Sequence, residues 1–200
     1  IAALLKSMGR LEERMIRVYL KQILAGVEYL HTNSVVHRDI KCANLLLDAA
    51  GNVKVSDFGC SFKADETRSF SNKQGGDAAN GPDGNDAYML LGSCPWMAPE
   101  CINDKTTDLY KSDIWSVGIS VIEMATGTHP WPKSFNFLKL MFHIASLYQE
   151  SDIPSLPPRF SENAHNFVAR CLELNEKARW SAAELSTHQF LITSTRHQMI

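Results

Sequence analysis

Between Glu12 and His31 the apolar residues Ile16, Tyr19, Leu20, Ile23, Leu24, Val27 and Leu30 return every three or four positions. That period lays one apolar stripe along an amphipathic helix. The pattern then shortens. "LLLD" (Leu45–Asp48) and "VKVS" (Val53–Ser56) read as two strands, and the Gly51-Asn52 pair between them predicts a turn that doubles the chain back as a hairpin. Beyond Cys60 regularity dissolves. Residues 71–86, "SNKQGGDAANGPDGND", hold almost no large apolar side chain to offset the entropy of ordering them, so a mobile insert is expected.

Order is expected again from "LLGSCPWMAPE" onward. Lys111–Ala125 carries Trp115, Val117, Ile119, Val121, Ile122 and Met124 and is apolar almost all round, as a helix enclosed by a core would be. "THPWPKS" predicts a turn and Phe135–Tyr148 a helix, while "PSLPP" stops further helix because proline has no amide donor. Ser161–Leu174 and Ser181–Leu191 read as two last helices, and Ser181 and Glu184 stand at the spacing of a capping box. Trp115, Met124, Phe137, Met141, Phe142 and Phe167 fall at helical spacing and are expected in the core. The prediction is one mainly α domain of five or six helices with a small β-hairpin.

Composition narrows the function classes. The chain has 200 residues, 44% hydrophobic and 21% charged, with net charge −2, which gives no basic excess to attract nucleic acid or an anionic membrane. Its five cysteines, Cys42, Cys60, Cys94, Cys101 and Cys171, include no CxxC pair and leave an odd thiol, a usage suited to a reducing, cytoplasmic setting. The seven histidines are scattered, so no zinc site is expected. "IAALLKSMGRLEE" does not read as a signal peptide, and Ile114–Ala125 is too short to span a bilayer.

The chemistry gathers around the hairpin. Because the turn reverses the chain, Asn44 before the first strand and Asp57 after the second come to the same end. Two oxygen donors meeting at one edge suit a hard cation, and magnesium takes one or two carboxylates together with phosphate oxygens and water. Asp39, five residues before Asn44, could orient a hydroxyl and accept its proton. Lys41 adds a positive charge for a transferring phosphoryl group. Each of these residues alone would more often be a turn-former or a solvated end. Together, with the spacing HRDxKxxN and a DFG thirteen residues after the Asn, they are far more specific.

"HRDIKCAN" (His37–Asn44) and "DFG" (Asp57, Phe58, Gly59) resemble the catalytic loop and metal-binding motif of eukaryotic serine/threonine protein kinases. "WMAPE" (Trp96–Glu100), "KSDIWSVGI" (Lys111–Ile119) and Arg179 extend the resemblance over residues 1–191, with 192–200 as a tail. It implies Asp39 as catalytic base, Lys41 beside the γ-phosphate of ATP, Ser93 at the position that contacts the base, and Asn44 and Asp57 as magnesium ligands. It also implies Leu46 under the adenine ring, though a plain core-facing strand residue fits the sequence equally well. Glu100 and Arg179 would form a structural ion pair, and Asp113 would anchor the His37–Arg38 backbone. The wording is most similar to the Ste-type MAP kinase kinase kinases, which implies a MAP kinase kinase as protein substrate and an upstream kinase or scaffold as a further partner. Ala43 departs from arginine-directed kinases, which commonly carry Glu there, and so removes one carboxylate that would attract a basic substrate.

The family closes ATP between two lobes, and the smaller one brings a glycine-rich loop and a strand lysine. No GxGxxG occurs here, only thirty-six residues precede His37, and Lys6 would lie on a helix past the interlobe hinge. The resemblance therefore implies the large, C-terminal lobe with the small lobe absent from the chain, Ile1–Leu5 and the hairpin rim exposing apolar surface, and little activity for these residues alone. The alternative is a non-catalytic half-kinase that binds or competes for partners. The activation segment would run 57–100, with Arg38 as partner for a phosphate on Thr67, Ser69, Ser71, Tyr88 or Ser93. Cys60 could be a reactive thiol, but a packed neutral cysteine is the plainer reading.

Overall fold

The computed structural model describes residues 1–63, 93–103 and 105–192. The expected insert at 71–86, the loop hydroxyls Thr67, Ser69, Ser71 and Tyr88, and residues 193–200 lie outside them. Among the described residues the chain is mostly helical. Helices α1 (Ala2–Met8) and α2 (Glu13–Thr32) lead into strands β1 (Val35–Val36), β2 (Leu45–Leu47), β3 (Val53–Val55) and β4 (Phe62–Lys63). Helices α3 (Pro99–Ile102), α4 (Leu109–Thr126), α5 (Phe137–Ala145), α6 (Glu162–Cys171), α7 (Ala182–Ser186) and α8 (Gln189–Ile192) follow.

The core forms around α4, in which residues from Ser112 to Ala125 are buried on every side of the helix except at Glu123. Asp108 caps its start by accepting from the Tyr110 amide, and Gly127 (φ 87°) ends it in the left-handed conformation that side chains disfavour. Gly118 sets the crossing with α6, since a Cβ there would lie 2.7 Å from the Cys171 Cβ. α2 turns Ile16, Leu20, Ile23, Leu24 and Val27 inward, the stripe its periodicity predicted. The hairpin pairs Leu45 with Val55, Leu46 with Lys54 and Leu47 with Val53. It rests on α2, where Gln22 accepts the Val53 amide at 2.8 Å.

Several expectations change. β1 and β4 form a second antiparallel pair, Val35 opposite Lys63 and Val36 opposite Phe62, too short for any alternation to show in the sequence. The last predicted helix is two: the Thr187 hydroxyl donates to the Glu184 carbonyl, and the His188 ring accepts the Phe190 amide. Such side-chain bonds compete with a continuous helix. Ile192 is the last residue of α8. Ile1 and Leu5 are buried in the core, so the exposed apolar start expected there is corrected. Trp115, Met124 and Phe167 are buried as expected, Met141 is half-buried, and Phe137 and Phe142 are exposed, because α5 spends its inner face on Leu140 and Ile144.

Candidate active site

The loop from Val36 to Asn44 is held in a conformation it would not choose. Arg38 sits at φ 63°, in the left-handed region that costs a non-glycine residue of order 1–3 kcal/mol. The compensation comes from the fully buried carboxylate of Asp113 on α4, which accepts the His37 amide at 2.9 Å and the Arg38 amide at 2.8 Å. His31 at the end of α2 adds its Nε2 to the same carboxylate at 2.9 Å. The His37 Nδ1 accepts the Asp39 amide, which leaves Nε2 as the protonated nitrogen, and it donates to the Ser56 carbonyl at 3.0 Å. One imidazole thereby ties the loop to the residue preceding Asp57.

Asp39 is 8% exposed and its carboxylate meets three donors. Its Oδ2 accepts from Lys41 Nζ at 2.7 Å and from the Asn44 amide at 2.8 Å, while the Ser93 amide donates to Oδ1 at 3.1 Å. Asn44 Nδ2 also donates to the Asp39 backbone carbonyl at 2.8 Å. Lys41 Nζ donates in turn to the Ser93 hydroxyl at 2.6 Å. Burial alone would raise the Asp39 pKa. The bonds from Lys41 and Ser93, the Lys41 charge and the Asn44 bond overcome that and hold the carboxyl below its ordinary range.

Asp57 is different. It too takes a left-handed backbone, at φ 65°, but its carboxylate is exposed and, among the described residues, accepts only the Gly59 amide at 3.3 Å. The hairpin sets it beside Asn44, for Ser56 donates both its amide and its hydroxyl to the Asn44 carbonyl, each at 2.9 Å. Both amide hydrogens of Asn44 are committed to Asp39, so its Oδ1 remains to face a cation. An amide oxygen and an open carboxylate at one strand end fit magnesium, a hard ion that keeps its water and phosphate ligands. Phe58 leans edge-on against His37 with ring centres 5.2 Å apart. Leu46 is 55% exposed, so it does not face the core and lies open on the hairpin's outer face.

Two of the supporting residues, Glu100 and Arg179, are in direct contact. Arg179, buried, pairs with Glu100 through Nη1–Oε1 at 2.5 Å and Nη2–Oε2 at 3.1 Å, and also donates to the Lys111 and Glu173 carbonyls. Arg38 turns its Nε to the Cys60 carbonyl at 2.5 Å and stacks over Phe62 at 4.6 Å. Sequence reasoning missed Glu123. Its Oε2 accepts the Cys42 amide at 3.1 Å and the Trp96 indole at 3.0 Å, so one side chain of α4 fastens both the Val36–Asn44 loop and the segment after Ser93. The signal was present: Glu123 and Asp113 are the two acids on a helix that is otherwise largely apolar.

With this geometry in place, the sequence profile described as "Protein kinase domain" matches residues 1–191. The chain belongs to the protein kinase domain family. The kinase chain is 40% identical over 192 residues to "Mitogen-activated protein kinase kinase kinase A" of Dictyostelium discoideum, covering 96% of this chain and 18% of that protein. It is 37% identical over 191 residues to "Mitogen-activated protein kinase kinase kinase 2" of Arabidopsis thaliana, covering 96% and 27%. "Serine/threonine-protein kinase STE11" of Saccharomyces cerevisiae is also 37% identical over 191 residues, covering 96% and 24%. The kinase chain thus spans between about a fifth and about a quarter of these relatives' lengths. Among its described residues no helix is long and apolar enough to cross a membrane.

Proposed function

We propose that residues 1–191 form the large lobe of a two-lobed serine/threonine kinase that phosphorylates a MAP kinase kinase. The observation that supports this most is the junction of Asp39, Lys41 and Ser93, closed by Asn44 and strapped to α4 by Asp113. Asp39, kept ionised, orients the acceptor hydroxyl and takes its proton as the new oxygen–phosphorus bond forms and the γ-phosphorus bond to the bridging oxygen breaks, ADP leaving with that electron pair. Lys41 sets its charge against the phosphoryl group in transit. Asn44 and Asp57 hold magnesium, and Leu46 offers an apolar floor to adenine. Magnesium-bound ATP supplies the phosphoryl group and much of the charge neutralisation. Relatives named as kinases at the head of MAP kinase cascades support the substrate class.

Regulation by phosphorylation within the activation segment belongs to the same reading, with Ser93 set apart. Its hydroxyl is already engaged by Lys41, and a phosphate there would place a dianion beside Asp39. Ser93 positions substrate, and an activating phosphate belongs on another residue of the segment.

The test is transfer of labelled phosphate from ATP and magnesium to a recombinant MAP kinase kinase by the full-length protein. Labelling that disappears in Asp39→Ala is expected. Labelling indifferent to that substitution would overturn the assignment, and no labelling by the wild type would favour a partner-binding module.

A further inference from the structure

We infer that His188 is an acid-sensitive latch that holds the last helix, α8, against α6 and α2 and releases it when the imidazole takes up a proton. The latch lies outside the candidate site and does not depend on the kinase reading. A single turn such as α8, Gln189–Ile192, fixes several backbone angles for few hydrogen bonds and cannot hold itself. His188 supplies what the turn lacks. Its carbonyl accepts the Leu191 amide at 2.9 Å, and its Nδ1 accepts the Phe190 amide at 3.0 Å, the latter a donor that a helix start leaves unpaired. On the other side of the ring Nε2 meets Asn166 Oδ1 of α6 at 2.9 Å. A ring nitrogen that accepts carries no proton, so the hydrogen sits on Nε2 and is donated to Asn166. One neutral tautomer thus uses both nitrogens. A second proton could enter only at Nδ1, where it would face the Phe190 N–H, donor against donor.

The surroundings oppose that proton. His188 is 7% exposed, with Phe167 edge-on at 5.3 Å and Trp180 at 5.7 Å. Arg170 of α6 lies over the Trp180 ring at 5.2 Å, and Arg17 of α2 lies over Phe190 at 5.2 Å. The carboxylates of the packed elements are directed elsewhere: Glu13 of α2 to Arg17 and Ser161, and Glu184 of α7 to the Ser181 amide and hydroxyl. Burial, and after it the Arg170 charge, hold the imidazole below its ordinary value of 6.5. A ring freed together with α8 meets water and returns to that ordinary value. The detached state therefore binds the proton more readily, so the latch is at full strength above about pH 6.5. Its hold weakens as pH falls from there towards the lower value of the seated ring. Release uncovers Phe190 and Leu191, now 1% and 2% exposed, the first of which packs on Phe167 at 5.6 Å.

The experiment is amide hydrogen exchange of the full-length protein, read by mass spectrometry one pH unit above and one below 6.5 and corrected for the intrinsic pH dependence of exchange. Opening of the α8 amides is expected to rise roughly five- to tenfold on acidification, the limit for a single proton taken up on release, while the amides of α4 stay unchanged. His188→Asn keeps an oxygen that can accept the Phe190 amide but does not titrate, and is expected to abolish the rise. Arg170→Gln removes the nearest repelling charge and is expected to make the rise smaller. Thermal unfolding at neutral pH checks that each variant folds. Should His188→Asn fail to fold, the contrast between α8 and α4 in the wild type and the response of Arg170→Gln decide. No rise in α8, an equal rise in α8 and α4, a rise that survives His188→Asn, or one unchanged in Arg170→Gln would each overturn the latch.

Discussion

Two aspartates of the candidate site, Asp39 and Asp57, occupy equally unfavourable backbone neighbourhoods yet are prepared very differently. Asp39 follows the left-handed Arg38, is nearly enclosed, and receives Lys41, Asn44 and the Ser93 amide in good geometry. Asp57 is itself left-handed, faces solvent, and holds one long bond to Gly59. The difference separates two kinds of preorganisation. Asp39, the proposed proton acceptor, is held in place by the fold itself, through Asp113 and α4. Asp57, the proposed metal ligand, is only placed, by the hairpin, and would be fixed by its ion.

The sharpest way to break that contrast is to cut the strap. Asp113→Ala removes the acceptor of two backbone amides and of His31, and is expected to cost roughly 3–5 kcal/mol in chemical denaturation. Loss of less than about 1 kcal/mol would show that the loop holds itself. Asp39→Ala comes next, with kcat of the full-length protein expected to fall about 10²–10⁴-fold in steady-state transfer assays and the fold retained by circular dichroism. Asp57→Ala should also depress activity, and its stability should lie within about 0.5 kcal/mol of wild type, because an exposed carboxylate with one long bond contributes little to folding. A stability loss as large as that of Asp113→Ala would erase the distinction.

The smallest effect concerns pH. Because the folded Asp39 carboxyl lies below its ordinary value, its contribution to stability is fully present above the unfolded pKa of about 3.9 and is lost as pH falls through the lower, folded value. Thermal denaturation midpoints of wild type should therefore drop more steeply on acidification below about pH 4 than those of Asp39→Asn. Parallel curves would mean the carboxylate is not held as the geometry indicates.

How much of this could be read beforehand follows from the range of each interaction. The stripe of α2, the apolar circuit of α4 and the Ser181–Glu184 capping box are local patterns, and each is present. Asn44 and Asp57 could be brought together on paper because a short hairpin leaves little choice of register. The β1–β4 pair could not, since two residues per strand show no period and their partners, Val35 with Lys63 and Val36 with Phe62, lie far apart along the chain. Nor could Glu123, whose two bonds reach back 81 and 27 positions along the chain. Phe137 and Phe142 mark the limit of periodicity: it identifies a helix with apolar faces, but only a neighbour decides which face is covered.

The most direct test of the whole account is a crystal structure of the full-length kinase with manganese and a non-hydrolysable ATP analogue, read from the anomalous signal of the ion. The account predicts a manganese peak bound by Asn44 Oδ1 and the Asp57 carboxylate at about 2.0–2.2 Å, the range of hard divalent ions on oxygen, with the Asp39 carboxylate beside the terminal phosphate. A peak bound by neither residue, or a terminal phosphate remote from Asp39, would contradict it.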